Sequence, residues 1–166
     1  MGVLEKILPN RKESELEQLL PESTEHLIDY WTRNIEQGRF ERLLSGLTAA
    51  TAVFATSEVY YEHYKGSFGN KFMWSPILVT PPLVISGIAG VFSKRAAKTA
   101  LPITAGIYTL TALIGFYFHV RGVHRRPGGW HEPTYNIVMG PPVVAPGLLA
   151  MVGGMGLLAA LLRRAR

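Results

Sequence analysis

Two short stretches carry the residues that could do chemistry. Residues 60–66 read Tyr-Tyr-Glu-His-Tyr-Lys-Gly and residues 116–122 read Phe-Tyr-Phe-His-Val-Arg-Gly, so an aromatic, a histidine, a basic residue and a glycine recur at the same offsets. His63 thereby matches His119, and Lys65 matches Arg121. Imidazole ligates Fe, Cu and Zn, and two imidazoles facing one another could hold one metal ion or both axial positions of a haem. Lys65 and Arg121 would then be placed for anionic groups such as haem propionates or lipid phosphates. The pattern is compatible with haem b or with a non-haem metal and names neither. His, Tyr, Lys and Arg at the end of a membrane span also make an interface anchor, so both readings stand at this point.

A wider set of ligands lies around the same positions. Glu58 and Glu62 are four apart, on one helix face, and His124, His131 and Glu132 follow His119 in sequence. Carboxylates with imidazoles suit Fe, Mn or Zn, although the Glu-x-x-His pairs of a di-iron bundle are missing. Glu58 is a carboxylate one turn inside a span boundary, which is costly unless it is paired or reaches the headgroups. Lys65 or Arg121 is its expected partner, and a proton or ion path is the alternative.

The elements that position these residues follow from the charges. Nine of the twelve Asp and Glu lie in residues 1–42. No Asp, Glu, Lys or Arg occurs between Lys71 and Lys94, between Lys98 and Arg121, or between Glu132 and Arg163. Each gap exceeds the roughly 20 residues that a helix needs to cross a bilayer. A fourth, shorter run spans residues 43–57 and reaches full length if the helix continues past Glu58. The expected fold is all-α: a four-span transmembrane helical bundle with spans at 43–61, 72–93, 99–120 and 135–162. Residues 1–42 form a separate amphipathic segment, in which Leu27, Ile28, Trp31 and Ile35 recur at helical spacing among charges. Ser23 or Thr24 is its expected cap after Pro21, and residues 1–20 read as a short surface helix or a tail.

Lys and Arg sit in short clusters beside the apolar runs, which is the mark of topology and not of nucleic-acid binding. Residues 1–42, the 94–98 turn and the C-terminus together hold twelve of them against five in the two remaining loops. The positive-inside rule therefore puts both termini in the cytoplasm and loops 62–71 and 121–134 outside. No apolar stretch precedes the first charges, so no secretory signal is expected, and a bacterial inner membrane fits best. The chain has no cysteine, which removes disulfides, Cys-ligated iron–sulfur clusters and covalent haem attachment.

The organisation reads as one helix, loop and Pro-Pro helix used twice in tandem, because Pro81-Pro82 and Pro141-Pro142 follow the two histidine stretches inside apolar runs. Prolines in spans two and four should bend or open those helices. No nucleophile with a base, no phosphate-binding loop and no dinucleotide fingerprint occurs, and Gly153-Gly154-Met155-Gly156 sits in an apolar span as helix-packing material. The leading expectation is a small integral subunit that anchors or connects a larger membrane assembly without catalysis of its own. Its contacts would be the bilayer and other subunits, met through the spans and residues 13–42. The alternative is an electron-transfer subunit with haem or metal between His63 and His119, and a small transporter is a further one.

Overall fold

A computed structural model describes residues 22–162. Expectations for residues 1–20, for Pro21 and for the closing Arg163, Arg164 and Arg166 lie outside them. Among the described residues every regular element is helical and no strand occurs: α1 (Glu22–Glu36), α2 (Arg39–Lys65), α3 (Ser75–Phe92), α4 (Lys94–Lys98), α5 (Ala100–His124), α6 (Pro133–Val138) and α7 (Val144–Leu161). Short 3-10 turns at Lys71–Trp74 and Gly129–His131 lead into α3 and α6.

Three of the helical stretches, Lys71–Phe92, Ala100–His124 and Val144–Leu161, are long and apolar enough to cross a membrane. These match three of the four expected spans. α2 has 27 residues but is less apolar. Its polar groups explain the difference, because Glu41, Ser45, Thr48 and Thr56 are buried inside the bundle while Val53 and Phe54 face outward.

α2 packs against α3 and α7, and α5 packs against the same two helices, so α2 and α5 stand on one diagonal of a four-helix square and α3 and α7 on the other. That is the pairing two like-oriented hairpins would give. The two halves meet their partner helices through glycines. A Cβ on Gly87 would come within 2.9 Å of the Ser45 carbonyl on α2, and one on Gly153 within 2.1 Å of Thr109 Oγ1 on α5. Small residues permit this close approach where lipid supplies no hydrophobic drive.

Two polar knots tie the helices together. At mid-bundle, Tyr108 on α5 bonds Thr56 on α2 (3.0 Å), Thr56 bonds Thr80 on α3 (2.6 Å), and Thr80 donates to the Pro76 carbonyl (2.6 Å). With Thr80's proton committed to that carbonyl, each hydroxyl donates to the next in one direction, from Tyr108 through Thr56 to Thr80. At the end opposite the histidines, Lys98 pairs with the buried Glu41 and donates to carbonyls at the end of α7.

Span four opens at its prolines, as expected: it divides into α6 and α7 around a break at 139–143, where Gly140, Pro141 and Pro142 leave the helical path. Other expectations on detail are corrected. Pro81 and Pro82, by contrast, lie within a continuous α3 and face outward, so the two Pro-Pro pairs do different jobs. Thr80 does not serve the carbonyls those prolines release but that of Pro76. α5 runs on to His124, which puts Arg121 and His124 on helix and not on the expected loop. Helix α1 begins at Glu22, before the expected caps Ser23 and Thr24, and Gly38 in the left-handed region (φ 69°) separates it from α2.

Candidate histidine-lined ligand site

His63 lies in the last turn of α2, and His119 lies just over one turn before the end of α5. These helices stand on one diagonal, and their imidazoles meet across it with ring centroids 6.5 Å apart and planes at 55°. Each ring is fixed by a backbone carbonyl. His63 Nδ1 lies 2.8 Å from the Met73 oxygen, in the 3-10 turn before α3, and His119 Nδ1 lies 2.9 Å from the Pro142 oxygen, in the break before α7. Both carbonyls thus come from stretches where regular α-helical bonding is interrupted. A carbonyl only accepts, so Nδ1 carries the proton and donates in both residues, and Nε2 keeps its lone pair. An Nδ1–H bonded to a backbone oxygen is the support a metal-ligating histidine ordinarily has. Burial holds the His63 imidazole below its ordinary pKa, against the opposing pull of the Met73 carbonyl and the Glu62 charge, which keeps it neutral at pH 7.

The two imidazoles border a cavity of about 540 Å³, within the usual range of small-molecule sites. Its lining is apolar at Val59, Pro76, Ala112 and Leu149 and charged at Glu58, Glu62, Arg121 and Arg125. Phe72 and Phe118 stack at 5.5 Å along one wall. The turn after His63 is strained: Ser67 and Phe68 both have positive φ (54° and 46°), a conformation that costs a bulky residue about 1–3 kcal/mol. The Phe68 ring is held by stacking on Trp74 (4.1 Å) and meets His63 edge-on (6.1 Å).

The sequence-derived candidates divide into two groups. Glu58, Glu62, His63, His119 and Arg121 come together on the cavity. Lys65 does not; it pairs with Glu62 on the exposed side, and that hydrogen bond and charge hold its ammonium above the ordinary pKa. His124, His131 and Glu132 are not among the lining residues, and among the described residues no three His, Cys, Asp or Glu are grouped to hold a metal ion. Sequence reasoning missed Arg125, one turn beyond Arg121 on the same face. It also missed Asn136, the buried residue that holds the 125–132 loop: its amide donates to the Pro127 and Gly129 carbonyls (3.0 and 2.8 Å) and its oxygen accepts from Arg126 Nε (3.2 Å). A lone Asn at the head of an apolar run was the available signal.

Comparison of the chain with protein-family models, with curated proteins and with solved structures finds no match. Its class therefore rests on the fold: an all-helical bundle with three helices fit to cross a bilayer and a two-histidine cavity at one end.

Proposed function

We propose that the protein is a small integral membrane subunit that holds a haem between His63 and His119 and passes electrons within a larger membrane assembly. The observation that carries this reading is the pair of carbonyl-anchored imidazoles 6.5 Å apart. His63 and His119 would be the chain's two ligands to the group's metal. The count of ligands then selects the group: a bare metal ion takes three or four protein ligands, whereas a macrocycle supplies most of its metal's ligands itself and would need only two from the chain. The apolar lining suits the ring and the charged groups suit its carboxylates. The bound group would supply one-electron chemistry; the chain's part is to ligate it and exclude water.

The membrane arrangement belongs to the same proposal. α2, about 40 Å long at 1.5 Å per residue, is the fourth span, its buried hydroxyls turned inward and Val53 and Phe54 toward lipid. The end that carries Lys98, with both termini, faces the cytoplasm and the histidine end faces outward, in a bacterial inner membrane. Helix α1 supplies the contact with the rest of the assembly, since Leu27, Tyr30 and Trp31 are exposed on it. The same exposed residues favour a second reading, an anchoring subunit with no cofactor.

Titration of the detergent-purified protein with haem separates the two. The proposal expects a Soret band that shifts from its position for haem in detergent alone, saturates at one haem per chain, and shifts again on changing His63 or His119 to Ala. Spectra that match haem in detergent alone throughout the titration remove the haem reading and leave the anchor.

A further inference from the structure

Beyond the two histidines, the cavity carries a second set of groups, which are charged. Arg121 and Arg125 are four residues apart at the end of α5, on the face that lines the cavity beyond His119. The neighbouring cations are already committed: Lys65 to Glu62, and Arg126 to Asn136. Among the described residues no carboxylate forms an ion pair with Arg121 or Arg125. Across the cavity stands α2, with Glu58 and Glu62. The cavity is therefore cationic on its α5 side and acidic on its α2 side, with apolar lining besides.

We infer that Arg121 and Arg125 clamp the carboxylates of the bound ligand and fix its orientation, with the anionic edge toward α5 and away from α2. This rests on the haem reading and narrows it to macrocycles with free carboxylates. Guanidinium groups bind carboxylates through paired, charge-assisted hydrogen bonds, which a lysine does not reproduce. Glu58 on the opposite wall disfavours the reversed orientation by like-charge repulsion. The role that sequence suggested for Lys65 passes to Arg125, because Lys65 turns outward.

The test compares two probes, iron protoporphyrin IX and its dimethyl ester, whose carboxylates are blocked. Affinity for each is measured from the Soret band for the full-length wild type in detergent, for Arg121→Gln/Arg125→Gln, for Arg121→Lys/Arg125→Lys and for the off-cavity control Arg126→Gln. Wild type and Arg126→Gln should bind the diacid about 10-fold or more tightly than the diester, in keeping with hydrogen bonds to charged groups. The double Gln variant should lose that preference while binding the diester as well as wild type does, and the double Lys variant should fall between. A wild type without preference, or a double Gln variant that keeps it, overturns the clamp while leaving the histidine site intact. Equal weakening of both probes by Arg121→Gln/Arg125→Gln also overturns it, since that is a structural effect. A protein that shifts the Soret band of neither probe from its position in detergent alone is a different result: it removes the haem reading, and the clamp with it.

Discussion

Lys98 Nζ stands 3.1 Å from Glu41 Oε2, a carboxylate wholly removed from solvent, and the same ammonium donates to the Ala159, Ala160 and Leu162 carbonyls. One side chain from the turn between α3 and α5 thus ties the first turn of α2 to the last turn of α7. A cation at a helix C-terminus meets unpaired carbonyls and the negative end of the helix dipole. Breaking one member of a buried ion pair costs about 3–5 kcal/mol, because the other charge stays buried. Lys98→Met should lower the unfolding free energy in detergent by that order, and adding Glu41→Gln should recover part of the loss. Additive effects in thermal or denaturant unfolding would show that the two groups do not act as a pair.

Helix approach in the second half depends on Gly153. A Cβ there would meet Thr109 Oγ1 at 2.1 Å and the Ala105 carbonyl at 3.0 Å, whereas one on Gly147 in the same helix has nothing within 4 Å. Gly153→Ala should destabilise the protein by about 1–3 kcal/mol through overpacking. Gly147→Ala should be neutral, or stabilising by up to about 1 kcal/mol from helix propensity. Melting temperatures of the two variants side by side check the packing; equal effects would contradict it.

The hydroxyl chain from Tyr108 to Thr56 and Thr80 crosses three helices. Tyr108→Phe should cost about 0.5–1.5 kcal/mol, the net worth of one hydrogen bond. Thr56→Val should cost more, since it leaves both the Tyr108 and the Thr80 hydroxyl short of a partner. A double-mutant cycle on unfolding free energies gives the coupling, and zero coupling would remove the chain as a structural element.

Asn136 should matter to the loop more than to the bundle. Asn136→Ala leaves the Pro127 and Gly129 carbonyls without their amide donor, at a cost of about 1–3 kcal/mol. Hydrogen exchange should speed up in residues 125–138 and stay unchanged in α3. Uniform acceleration across the chain would contradict a local role.

Much of this architecture was legible because charge is expensive in a bilayer. The gaps after Lys71, Lys98 and Glu132 each hold a helix fit to cross a bilayer, and His63 and His119, matched in the sequence, lie with ring centroids 6.5 Å apart. What stayed hidden depended on direction, not on residue type. Glu41 reads as one more acid of the N-terminal third, yet it is turned inward to Lys98. Pro141 and Pro142 look like Pro81 and Pro82, but a Gly precedes the first pair and α3 continues through the second. Lys65 and Arg121 share an offset from their histidines, and only Arg121 faces the cavity, because Glu62 one turn back draws Lys65 outward. The glycine run 153–156 marked close packing without naming the helix it meets, which for Gly153 and Gly156 is α5.

The most direct test of the central claim is the electron paramagnetic resonance spectrum of the ferric, haem-loaded protein. The account predicts a six-coordinate, low-spin signal of bis-imidazole type in the wild type, converted to a five-coordinate, high-spin signal by His63→Ala and equally by His119→Ala. A spectrum that either substitution leaves unchanged, or a high-spin wild type, would contradict axial ligation by these two histidines.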